Sequence, residues 1–141
     1  EALMNEAVQK RGSVETAYFS VTGTDDEVVP FVSENSWRTN AFFCAWTAYQ
    51  TMNGMEVSSR PDFSKDATFG IALKDREVIS TNKRVTMEAG VLYKGNIPLI
   101  KVVAVNDYGH WNFKPDARLM WDFMKQFSRD PQTKKLVYNK R

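Results

Sequence analysis

Apolar and polar positions along this chain fall into blocks that predict helices and buried strands in turn. Ala2–Arg11 sets Leu3 four before Ala7 and Met4 four before Val8, then meets Gly12, the pattern of a short helix with a glycine C-terminal cap. Ala17–Val21 is near-continuously apolar rather than alternating, which predicts a strand covered on both faces. Glu34–Met52 is the longest helical pattern, closed by Asn53-Gly54. Trp37, Ala41, Cys44, Ala48 and Met52 form its stripe, and Phe42, Phe43, Ala45, Trp46 and Tyr49 widen it, so the helix is expected to need cover on more than one side. Val57–Asp66 reads as a loop.

From Ala67 to Val105 the pattern turns to strand. Arg84–Glu88 and Val91–Tyr93 lead into the turn Lys94-Gly95-Asn96, and Ile97–Val105 returns, predicting a hairpin whose second arm is the more buried. A last helix begins near Pro115, with Leu119, Met120, Phe123, Met124 and Phe127 as its apolar face up to about Arg129. No repeat, low-complexity tract or linker interrupts the pattern, so residues 1–141 read as a single unit of α/β rhythm. A central strand such as Ala17–Val21 wants neighbours on both edges, which predicts an open sheet edge, or a partner covering it, beside that strand.

Composition narrows the function classes. A hydrophobic fraction of 43% and an aromatic fraction of 13% over 141 residues describe a folded domain with a real core. The net charge of +2 is scattered and argues against nucleic acid or an anionic membrane as partner. The basic tail, Lys134, Lys135, Lys140 and Arg141, reads as a solvated end. The single cysteine, Cys44, excludes an internal disulfide and is expected to be a small buried side chain; with one histidine besides, neither a metal site nor a cofactor is expected. No apolar run reaches the ~18 residues of a membrane span. Glu1 is not an initiator methionine, and an extracellular or periplasmic location is expected if the precursor carried a signal peptide.

The residues that stand out chemically lie where the two buried strands end. His110, the one histidine, follows Ile97–Val105 in Asn106-Asp107-Tyr108-Gly109-His110-Trp111. Asp26 follows Ala17–Val21 in Thr22-Gly23-Thr24-Asp25-Asp26-Glu27-Val28-Val29-Pro30. A carboxylate that fixes the tautomer of an imidazole makes that imidazole a base for an attacking hydroxyl and an acid for the leaving group. Asp25 is the alternative acid. Glu15, Glu56, Asp62 and Asp66 read as solvated loop charges rather than a glycosidase pair. Gly90, Gly95 and Gly109 have no phosphate-binding spacing.

Those two loops carry a family resemblance. Gly23-Thr24-Asp25-Asp26-Glu27-Val28-Val29-Pro30 resembles the acid loop of α/β-hydrolases, a Gly-Thr-x-Asp-x-x-Val-Pro pattern, and Asp26 is the aligned acid. Tyr108-Gly109-His110-Trp111, followed by Trp121–Phe127, is similar to the histidine loop and final helix of the same enzymes. The group most resembled is that of polyhydroxybutyrate depolymerases and feruloyl or acetylxylan esterases, over roughly residues 15–52 and 97–130. The resemblance implies parallel strands with flanking helices, the C-terminal half of an α/β-hydrolase domain, with residues 56–96 as a peripheral β-rich insertion. It further implies a serine carboxylesterase whose acid is Asp26 and whose base is His110, with Trp111 and Tyr108 as candidates to line the substrate pocket and packing under the loop as the competing role for Trp111. No Gly-x-Ser-x-Gly occurs in the chain, so the nucleophilic serine is expected on an N-terminal part of the same hydrolase, acting here as partner. The implied substrate is an ester, such as a plant-polysaccharide feruloyl or acetyl ester. The competing readings are a non-catalytic binding module with a structural His110, and a degenerate hydrolase relative.

Overall fold

Ile97–Val105, the most apolar run of the chain, becomes the central strand of the molecule. The computed structural model describes residues 2–12, 14–81 and 85–140; Arg84 of the expected hairpin and Arg141 of the basic tail lie outside them. The elements are α1 (Ala2–Arg11), β1 (Tyr18–Gly23), α2 (Ala41–Met52), β2 (Lys74–Ser80), β3 (Thr86–Lys94), β4 (Ile97–Val105), α3 (Lys114–Met124), β5 (Phe127–Arg129) and β6 (Leu136–Tyr138). Four strands form one sheet in the order β1-β4-β3-β2, and β5 pairs with β6.

Both faces of β4 are buried, and its two sets of side chains feed two cores. Ile100, Val102 and Ala104 pack with Phe43 and Trp46 of α2 and with Phe69. Val103 and Val105 point the other way, to Met87, Ala89 and Phe113, with Leu119 of α3 against them. Each fully buried aliphatic side chain contributes roughly 1.5–3 kcal/mol, so this strand anchors the fold.

The sheet is mixed, which corrects the expectation of a parallel-stranded α/β-hydrolase portion. Only β1 and β4 run parallel; β3 is antiparallel to both β4 and β2. Chain geometry explains the difference. Lys94 pairs with Ile97 across a two-residue turn in which Gly95 takes φ +57°, a left-handed conformation suited to glycine. So short a connection can join only antiparallel strands, whereas a parallel pair needs a crossover of a dozen or more residues. Residues 24–96 are the only such crossover, between β1 and β4, and residues 56–96 supply two of the sheet's four strands.

Other elements depart from their patterns for identifiable reasons. Helix α2 starts at Ala41 rather than Glu34, because the Asn40 side chain caps it by accepting the Phe43 N–H at 3.0 Å. The helix sets Phe43, Trp46, Thr47 and Gln50 inward and leaves Cys44 exposed, contrary to the buried role expected for it. Thr47 and Gln50 are tolerated inside because they bond to Phe43 O and to Glu56 O and Ser58. Helix α3 ends at Met124 and Phe127 enters β5; Met120 and Met124 are exposed while Phe123 is buried. On the far side of the sheet, β1 is an edge strand with no strand partner beyond it among the described residues.

Candidate active site

The parallel pairing of β1 with β4 ends at Gly23 opposite Val105, so both strands release their chains side by side at one end of the sheet. The two exit loops are then laced together. Thr24 N–H donates to Val105 O at 3.0 Å, Asp25 N–H to Tyr108 O at 3.1 Å, and Asp107 N–H to the Thr24 hydroxyl at 2.9 Å. Gly23 makes this approach possible. A Cβ there would lie 1.8 Å from the carbonyl oxygen of Tyr108, a distance no side chain can occupy.

This lacing brings Asp26 and His110 together. The His110 Nδ1 lies 2.8 Å from Asp26 Oδ2 and 3.1 Å from Oδ1, so the ring donates its Nδ1–H to the carboxylate. Asp26 Oδ1 also accepts the Val28 and Val29 backbone N–H groups at 2.9 and 2.8 Å. Burial pushes the Asp26 carboxyl up, but the bonds from Val29, His110 and Val28 outweigh it and hold its pKa below the ordinary value. The loop is held in turn by Asn40, whose side-chain amide donates to Pro30 O at 2.7 Å while its oxygen caps α2. Asp25 contributes only its backbone N–H to this arrangement and is exposed; Asp26 is the partner of the imidazole.

The His110 side chain is 54% exposed against 7% for Asp26, and its Nε2 has no hydrogen-bond partner among the described residues. The ring borders a cavity of about 400 Å³. Tyr108 lines it, half-buried, with its ring edge-on to Phe113 at 5.0 Å. Trp111 stands at the mouth, 84% exposed, and so does not pack under the loop. Phe42, Asn112 and Asp116 also line the cavity, and the sequence reading missed all three. Asp116 in the first turn of α3 carries the signal of a helix start, and nothing local marks it as facing a site. Thr22 and Tyr108 supply the only hydroxyl side chains of the lining; no serine or cysteine belongs to it.

A second ionisable cluster lies on β2, β3 and the preceding loop. Glu88 accepts Thr68 Oγ1–H at 2.6 Å, Arg76 Nη2–H at 2.9 Å and Asn106 Nδ2–H at 3.2 Å. Arg76 reaches Asp66 at 3.1 Å, donates to Ala89 O and lies over the Phe69 ring. Every charged group there has a partner. Among the described residues no three of His, Cys, Asp and Glu cluster as metal ligands, and no helix is long and apolar enough to cross a membrane. Compared with known proteins, the chain matches no family model, no curated protein and no solved structure.

Proposed function

We propose that this chain supplies the general base and its orienting acid to a serine carboxylesterase, acting on esters of the feruloyl or acetylxylan kind. The observation that carries the reading is the His110 Nδ1–H bond to a buried Asp26 carboxylate, at 2.8 Å, in a ring whose Nε2 is unpartnered beside a cavity. In the reaction, Nε2 accepts the proton of a serine hydroxyl as its oxygen attacks the ester carbonyl. Asp26 holds the tautomer that leaves Nε2 free and stabilises the imidazolium that forms. The same proton passes to the departing alcohol, leaving an acyl-serine. Water then repeats the sequence, its proton going to Nε2 and on to the serine as the carboxylic acid is released.

The serine and the oxyanion donors come from another segment, the N-terminal part of the same hydrolase. The unpaired edge of β1, which leads into the Asp26 loop, is where that segment adds to the sheet. No metal, nucleic acid or membrane enters this mechanism. A second reading, a binding module or an inactive relative in which the Asp26–His110 bond is structural, is favoured by the lack of serine or cysteine in the cavity lining.

Intact mass of the protein purified from its full-length gene, with and without a fluorophosphonate probe, separates the two. A probe adduct on a serine of a longer or companion chain, lost in His110→Ala, supports the esterase. No adduct on any chain supports the second reading.

A further inference from the structure

Among the described residues the lining of the His110 cavity contains no lysine or arginine, and its two carboxylates differ in what they have to spare. Asp26 is taken up by His110 and two backbone N–H groups. Asp116, half-buried in the first turn of α3, pairs with no cation among the described residues. On the same helix Arg118 is bonded to Asp122 at 2.6 Å, and Lys114 is exposed and outside the lining. With His110 neutral, Asp26 and Asp116 give the lining a formal charge of −2 (−1 and −1) among the aromatic rings of Phe42, Tyr108, Trp111 and Phe113.

We propose that Asp116 sets the charge selectivity of this cavity, making it a site for esters whose bound moiety is neutral or cationic and closing it to anionic ones. The inference rests on the ester-binding reading above and names a specificity residue within it. A carboxylate without a counter-ion repels an anion and attracts a cation, and aromatic faces add to the preference for positive charge. Burial pushes the Asp116 carboxyl up, against the opposing bond from the Ala117 N–H.

The test uses the chain itself and three compounds of nearly equal shape: tetramethylammonium, neopentyl alcohol and pivalate. Each is titrated at neutral pH and low salt while the His110 ring and Trp111 indole resonances are followed by NMR. The expected order of affinity is cation, then neutral, then anion, with about a tenfold or greater gap between the first and last. Asp116→Asn brings the three to within about threefold, as expected once the charge term is removed, and Asp116→Glu restores the order. An order unchanged in Asp116→Asn overturns the proposal, as does pivalate binding as tightly as tetramethylammonium or no binding by any of the three. The outcome is independent of fluorophosphonate labelling. Charge order without labelling removes the esterase and leaves Asp116 as a binding determinant; labelling without charge order removes only the role of Asp116.

Discussion

Asp26, in the loop that leaves β1, and Glu88, on β3, are both partly or fully buried carboxylates that accept several hydrogen bonds, yet they leave their surroundings in different states. Glu88 bonds to Thr68, Arg76 and Asn106, and Arg76 itself has Asp66, Ala89 O and the Phe69 ring. That network ends in satisfied groups and ties the 66–69 loop to β2, β3 and the exit of β4. Asp26 instead passes one of its bonds to an imidazole whose second nitrogen is free beside a cavity. A closed network holds structure; an open one has a valence left for a reacting group. The difference lies in the last partner rather than in the carboxylate.

The largest effect separating the two regions is catalytic. In the proposed esterase, assembled with a nucleophile segment, Asp26→Asn is expected to lower kcat about 10⁴-fold, because the amide no longer selects the Nδ1–H tautomer. Glu88→Ala leaves kcat within about twofold wherever the protein is folded, since lost packing support acts on stability rather than on the transition state. Initial rates on p-nitrophenyl acetate measure both, and a comparable loss from Glu88→Ala erases the contrast.

Next in size is Gly23→Ala, which sets a methyl group against the Tyr108 carbonyl and forces the two loops apart. It is expected to destabilise the fold by about 3–5 kcal/mol in urea unfolding and to break the Asp26–His110 bond. Gly109→Ala, in the same loop pair, meets nothing closer than 3.9 Å and is expected to change stability by under about 1 kcal/mol. Equal effects at the two glycines contradict the close approach at Gly23.

Glu88→Ala is expected to cost about 1–3 kcal/mol, through the unsatisfied partners it leaves rather than through its charge. Acid titration sharpens this. The bond from Thr68, with those of Asn106 and Arg76, holds the Glu88 carboxyl below its ordinary value against the opposing effect of burial. The unfolded carboxyls titrate near pH 4 (about 3.9 for Asp and 4.3 for Glu). A depressed folded pKa means the unfolded state binds the proton first, so the contributions of Glu88 and Asp26 are complete above that range and fade as pH falls through their folded values. Unfolding free energy measured as pH falls from there is expected to drop less steeply in Glu88→Gln than in the parent; an unchanged slope contradicts the network.

Much of this was legible in the residues, and what was not has local causes. Ala17–Val21 and Ile97–Val105 show as near-continuous apolar runs because little of either strand, β1 or β4, is left exposed. Asp26 and His110 show because each follows such a run within a few residues. Strand β2 did not, since Lys74-Asp75-Arg76-Glu77 carries charge at an exposed sheet edge, with a bulge where Asp75 takes φ +47°. The mixed sheet is not evident from the residues because β1 and β4 do pair in parallel, while the antiparallel hairpin through Gly95-Asn96 reads as a peripheral insertion rather than as half of the same sheet. The stripe through Cys44 is not the buried one, because α2 is apolar on most sides and the sheet takes the side of Phe43, Trp46, Thr47 and Gln50. Gly23 and Asp116 act across the fold, and no neighbour in sequence reports on either.

A base at His110 requires the proton on Nδ1 and a bare Nε2, and a chain with one histidine allows this to be read without assignment. Long-range ¹H–¹⁵N NMR of the imidazole, in the neutral ring, is expected to show Nδ1 protonated and Nε2 bare, with that preference lost in Asp26→Asn. A ring protonated on Nε2, or a tautomer that ignores Asp26→Asn, would contradict the proposal that Asp26 prepares His110 as a base.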